Sequence, residues 1–124
     1  MSTFPKFSMA FNIASNNEER IEAFELYRRA FNAIKTGEST PPDGDDIHIS
    51  MEINGFKILL APGDEKGVNN VLCCQIKFDN DNDLRKAYEI LIQEGRDYYI
   101  GSYPWAPLGA FVKDKYGVGW WLHT

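Results

Sequence analysis

The stretch that decides the fold is Tyr103-Pro104-Trp105-Ala106-Pro107-Leu108-Gly109-Ala110-Phe111-Val112-Lys113-Asp114-Lys115-Tyr116-Gly117-Val118-Gly119-Trp120-Trp121-Leu122. It reads as a strand over 108–113, a turn at Asp114-Lys115-Tyr116-Gly117, and a return strand over 118–122. Side chains alternate across a strand. Trp120 therefore shares a face with Val118 and Leu122, which predicts core, while Trp121 joins Gly119 and His123 on the other face. Trp105 lies between Pro104 and Pro107 on a stiff loop before the hairpin, where it could gate an approach to that second face. His123, one residue from the last, is expected to fray into solvent.

Working back from this hairpin, a short strand is predicted over 97–100. Before it, Leu84, Ala87, Tyr88 and Leu91 form a helical stripe that ends at Gly95, with caps supplied by the polar run 79–83. Residues 71–78 alternate as a strand, with Leu72, Cys74, Ile76 and Phe78 on the apolar side and Cys73, Gln75 and Lys77 opposite. Residues 64–70 form a polar linker.

The first half carries the same order of elements. Phe7, Met9, Phe11 and Ile13 alternate with Ser8, Ala10 and Asn12. Ser15-Asn16-Asn17-Glu18 has capping-box spacing. Ile21, Phe24, Tyr27, Phe31 and Ile34 mark an amphipathic helix, with Gly37 placed as its left-handed cap. Residues 38–46 read as an acidic loop and a candidate lid. A strand over 47–53 sets Ile47, Ile49, Met51 and Ile53 against His48, Ser50 and Glu52. Asn54-Gly55 then predicts a tight hairpin into a strand over 56–61. Each half thus reads strand, helix, then two or three strands, with no residue-by-residue repeat.

The chain has 124 residues, 44% of them hydrophobic and 25% charged, with a net charge of −5. That matches one globular domain. The charge argues against a nucleic-acid or acidic-membrane binder, since no basic stripe exists to neutralise phosphates. No apolar run approaches the roughly 20 residues of a bilayer span, and the opening residues lack the apolar core of a secretory signal. A cytoplasmic protein is expected. Cys73 and Cys74 are adjacent, so their side chains point to opposite faces and a disulfide between them is not expected.

The order of elements resembles the vicinal oxygen chelate superfamily, which comprises glyoxalase, bleomycin-resistance and extradiol-dioxygenase proteins. Several local patterns are similar to its PhnB-like (glyoxalase-like) branch. Ala23-Phe24-Glu25-Leu26-Tyr27-Arg28-Arg29-Ala30-Phe31 resembles the first helix, and Ile47-His48-Ile49-Ser50-Met51-Glu52-Ile53-Asn54-Gly55 the His-bearing hairpin. Ala87-Tyr88-Glu89-Ile90-Leu91-Ile92-Gln93-Glu94-Gly95 resembles the second helix. Pro104-Trp105, Gly109 and Asp114-Lys115-Tyr116-Gly117-Val118-Gly119-Trp120 resemble the closing Asp-x-Phe/Tyr-Gly-Val-x-Trp hairpin. The resemblance implies an α+β fold: two βαβββ modules, about 5–63 and 70–124, forming an incomplete barrel around a concave cleft, as a homodimer. In metal-dependent members, cleft residues chelate a divalent ion that polarises vicinal oxygens of the substrate.

The alternation tests that chemistry. If helices cover the apolar side of each sheet, the cleft receives Ser8, Ala10, Asn12, His48, Ser50, Glu52, Cys73, Gln75, Lys77, Gly119, Trp121 and His123. The ligand positions the family implies fall on Ser8 or its neighbours, on Cys73 and on Trp121. An indole cannot bind a metal, so no conventional metal site and no cofactor are expected. His48 and Glu52 share a face, but their Cα atoms stand roughly 13 Å apart at about 3.3 Å per residue, too far to chelate one ion naturally. His48 is either hydrogen-bonded within the sheet or a cleft acid/base. Trp121 is either an aromatic wall for a ligand or a plug of the cleft or dimer seam.

The ligand-binding candidates are therefore Asn12, His48, Ser50, Glu52, Cys73, Gln75, Trp105 and Trp121, and the catalytic candidates His48, Glu52 and Cys73. Three functions follow: a glyoxalase-like protein binding a small molecule without the usual metal, a divergent metal-dependent lyase or dioxygenase, and a non-catalytic structural or regulatory dimer. Fold alone does not choose among them.

Overall fold

A computed structural model describes residues 5, 7–13, 16–42, 44–62 and 73–124. Their order is β1 (Met9–Ile13), α1 (Asn17–Phe31), β2 (Ile34–Ser39), β3 (His48–Ile53), β4 (Phe56–Pro62), β5 (Cys73–Lys77), α2 (Asp81–Ile92), β6 (Arg96–Tyr103), β7 (Ala106–Lys113) and β8 (Gly119–His123). Each half is a βαβββ module. The two four-stranded sheets have the same arrangement, β1-β4-β3-β2 and β5-β8-β7-β6. In each, the first strand lies parallel to the last, and the other pairs are antiparallel. The linker 64–70 and the start of the 71–78 strand lie outside the described residues.

The sequence expectation missed β2. Residues 34–39 pair with β3 through a register shift between Lys35 and Gly37, so Gly37 sits in a strand and caps no helix. The cap of α1 is Asn32, at φ 58, whose N–H reaches the carbonyls of Arg28 and Tyr27. Asparagine tolerates the left-handed region well enough to do what glycine was expected to do. At the other end the cap is Asn16, whose side chain accepts from the N–H of Glu19 at 2.8 Å; Ser15 of the predicted capping box lies outside the described residues. The stripe is also rotated. Ala23, Leu26, Tyr27 and Ala30 are buried, whereas Ile21 and Ile34 are 49% and 65% exposed. The Asn54-Gly55 turn forms as predicted, with φ 47 and 85.

The acidic segment does not hang free as a lid would. Asn17 Nδ2 donates to the Asp45 carbonyl at 3.0 Å, and Asn17 Oδ1 accepts from the Ile47 N–H at 2.9 Å. The fully buried guanidinium of Arg20 adds bonds to the Ile13 carbonyl, Asn17 Oδ1 and Asp46 Oδ1. The first turn of α1 thereby ties this segment to the end of β1.

One core serves both modules. Trp120 is fully buried, with its ring 5.9 Å from Phe11, 5.5 Å from Tyr27 and 4.6 Å from Phe31. Asp114, at the turn after β7, organises this seam. Its Oδ2 accepts from the Tyr27 hydroxyl at 2.6 Å and the Trp120 indole at 2.9 Å. Its Oδ1 accepts from the N–H groups of Tyr116 and Val118 at 2.8 and 3.1 Å. Burial nevertheless pushes its carboxyl above the usual range, the four donors offsetting only part of the desolvation. Outside the seam, Glu22 of α1 accepts from Lys115 and from the Tyr116 hydroxyl. No helix among the described residues is long and apolar enough to cross a membrane.

Candidate functional site

Because α1 and α2 cover one side of each sheet, the other side is the open face, and the expected alternation holds there. In β3, His48, Ser50 and Glu52 are partly exposed while Ile49, Met51 and Ile53 are buried. In β1, Asn12 is exposed between the buried Phe11 and Ile13. These candidates share a sheet without forming a cluster. β4 stands between β1 and β3, so Asn12 is roughly 10 Å from the β3 row at about 4.8 Å per strand. The His48 Nδ1 is buried with no hydrogen-bond partner among the described residues.

The second module's open face is aromatic. Trp121 pairs with Gln75 on one side and with Phe111 on the other, and Phe111 pairs with Tyr99. Tyr103 stands edge-on to Trp121 at 4.9 Å and to Tyr99 at 5.2 Å, and Trp105 packs on Tyr103 at 5.4 Å. His123 does not fray. It belongs to β8, is stacked on Trp121 at 5.9 Å, and its carbonyl accepts from the Phe78 N–H at 2.8 Å.

Two glycines make room for this layer. Gly101 and Gly109 are cross-strand partners. A Cβ on Gly109 would come within 2.4 Å of the Trp121 ring and 2.9 Å of Tyr103, and one on Gly101 within 2.5 Å of the Tyr99 hydroxyl. The rings lie down over bare backbone. The exposed surface is a platform of half-buried Trp121, Phe111 and Tyr103, edged by Tyr99 and by Trp105, which is 71% exposed. Trp105 sits at the tip of the β6–β7 hairpin, and both strands are longer than predicted.

Tyr99, Tyr103 and Phe111 were absent from the sequence candidates. The signal for them was the pair of strand glycines, which mark close approach of side chains to backbone. β6 was predicted too short to place Tyr103, and the glycine pairing needs the register.

Cys73 pairs with Gly119, one row away from Trp121. Burial pushes its thiol above the ordinary range and pushes that of Cys74 up to about 11. Each thiol is thus held in the protonated form. Both are free, Cys73 exposed and Cys74 half-buried, as opposite faces require. The residues also do not fit the fold family's divalent metal. Trp121 occupies the middle of the open face of β8, and among the described residues no three His, Cys, Asp or Glu side chains stand close enough to share an ion.

Paired βαβββ modules with matching mixed sheets give the chain a glyoxalase/bleomycin-resistance/dioxygenase-like fold. The fold closely matches a PhnB protein of Bacillus cereus: TM-score 0.71, 19% identity, covering 96% of this chain and 98% of that one. A protein of Pseudomonas aeruginosa gives TM-score 0.77 at 15% identity over 95% and 97%. The fosfomycin resistance protein FosX of Mesorhizobium loti gives 0.69 at 16% over 100% and 93%. At such identities the likeness is one of fold. No family model matches the chain. Over 43 residues, 35% of the chain, it is 37% identical to uncharacterized proteins of Mycobacterium bovis and Mycobacterium tuberculosis. That match spans about a quarter of those relatives' length, 28% and 25% respectively.

Proposed function

We propose that the chain is a PhnB-like, glyoxalase-like protein that binds a small molecule on the aromatic open face of its second module, without the superfamily's usual metal set. The observation that carries this reading is Trp121. The resemblance places a metal-binding carboxylate at this position; here an indole lies flat over Gly109, braced by Tyr103 and half exposed. Half-exposed aromatic rings beside a polar side chain such as Gln75 suit a flat, apolar or aromatic ligand, with Gln75 supplying orientation. A homodimer is part of the proposal, tested by sedimentation.

Tryptophan fluorescence titrated with a panel of planar compounds tests the binding. A saturable response abolished by Trp121→Ala is expected. Absence of any response across the panel, or an unchanged response in the variant, overturns it. Elemental analysis of protein purified without chelators tests the metal-free part: stoichiometric Mn, Fe, Ni or Zn contradicts it.

A further inference from the structure

A second recess lies away from the open faces, where the two modules meet. It is half-open and measures about 510 Å³ between the end of α1, the β3–β4 turn, the end of β5 and the first turn of α2. Such a volume suits a small ligand. Its floor includes Phe31, Ile76 and Phe78, all packed against the common core. Its rim carries Arg29, Lys77 and Lys86.

The charge of this rim runs against that of the whole chain. Lys77 and Lys86 have no ion-pair or hydrogen-bond partner among the described residues, and Arg29 interacts with the Glu25 carboxylate only at longer range, Glu25 being held by Arg28. Two carboxylates also border the recess, Asp79 and Asp83. Asp83 is already engaged, because its Oδ2 accepts from Asn80 Nδ2 at 3.1 Å while Asn80 Oδ1 accepts from the Asp83 N–H. That reciprocal pair caps α2. Asp83 keeps its charge in that bond, so three cations face two carboxylates, a net charge of +1 on a chain whose net charge is −5. The positive end of the α2 dipole adds to the cations, and the opposing carbonyl end of α1 is partly satisfied by the Asn32 cap.

We propose that this recess binds an amphipathic organic anion, its carboxylate or phosphate held by Arg29, Lys77 and Lys86 and its apolar part on Phe31, Ile76 and Phe78. Arginine can grip such a head group in a bidentate fork, and the lysines follow it as point charges. The inference is independent of the Trp121 platform.

The test is a titration of the ¹⁵N-labelled protein with sodium octanoate at low salt, with octylammonium as control. Saturable amide shifts are expected at 29–34, 53–54 and 76–86. The double variant Arg29→Gln/Lys86→Gln should weaken octanoate binding at least ten-fold, with its dispersed spectrum reporting that it folds. Octylammonium should leave those amides unmoved, and Trp121→Ala should bind octanoate as the parent does. Shifts confined to other residues, equal response to octylammonium, or undiminished binding in the double variant overturns the proposal.

Discussion

On the side away from α1, the first sheet offers water Ala10, Asn12, Ser50 and Lys57, whereas the corresponding side of the second carries Tyr99, Tyr103, Phe111 and Trp121. Topology is the same in both, and the helical sides merge into one core. The difference comes from what each backbone can accommodate. Gly101 opposite Gly109 leaves a bare strip in which rings lie flat. In the first sheet the equivalent strands, β2 and β3, set Gly37 opposite Ser50, and β4 offers Leu59 and Ala61 where β8 of the second sheet carries Trp121, so no ring is there to lie flat. A duplicated scaffold therefore fixes which residues look outward, while the local supply of glycine and aromatic side chains determines what the outward face can hold.

The largest effect is expected at the seam that both modules share. Asp114→Ala removes the common acceptor of Tyr27, Trp120 and two backbone N–H groups. Breaking such a buried charged network costs roughly 3–5 kcal/mol. Urea unfolding should show the loss as a single transition. Two separated transitions would mean that the modules are not one cooperative unit.

Next comes Gly109→Val, which places a branched side chain where the Trp121 ring lies. Overpacking of this kind costs roughly 1–3 kcal/mol. The variant should also shift tryptophan emission to the red as Trp121 is lifted into water. Unchanged emission would show that the ring does not depend on this strip.

Alkaline pH probes the Tyr27 phenol of the seam and the Tyr116 phenol beside it. Burial first, and the Asp114 carboxylate second, hold the Tyr27 phenol well above the ordinary tyrosine range. Burial and the bond to Glu22 do the same for Tyr116. In the unfolded chain both ionise near about 10. A raised folded value means the fold favours the protonated form, so this contribution is complete below pH about 10 and is lost as pH rises beyond it. The urea midpoint should fall above pH 10, with the phenols of Tyr27 and Tyr116 ionising, as read at 295 nm, only on unfolding. Their ionisation in the folded protein would contradict the seam as described.

The smallest effect is expected on the first sheet, where Asn12→Ala should change stability by no more than about 0.5 kcal/mol and leave ligand binding intact. A measurable loss of binding would move the site onto that face.

Alternation alone placed Trp120 in the core, Trp121 on the open face, and the His48-Ser50-Glu52 row opposite Ile49 and Met51, because a strand's period leaves only two choices. α2 was readable for a similar reason: Leu84, Ala87, Tyr88 and Leu91 fit one helical stripe, and all are buried. α1 was harder. Its buried face is built on Ala23 and Ala30, small residues that hydrophobic periodicity overlooks, and on Arg20, which looks like a surface residue until its partners are known. β2 was missed because Lys35, Thr36, Gly37 and Glu38 carry no apolar alternation, and an exposed edge strand is held by backbone pairing more than by burial. The aromatic platform could be read only in part, since Trp121 announces itself while its dependence on Gly101 and Gly109 requires knowing which residues stand opposite each other.

The most direct test of the account follows the three indole N–H resonances while a planar ligand identified by the fluorescence panel is added. Trp121 should move saturably, Trp105 with it to a lesser degree, and Trp120, bound to Asp114 in the core, should stay in place. Saturable binding that leaves Trp121 unmoved, or that requires an added divalent metal, would contradict the assignment of ligand binding to the aromatic face.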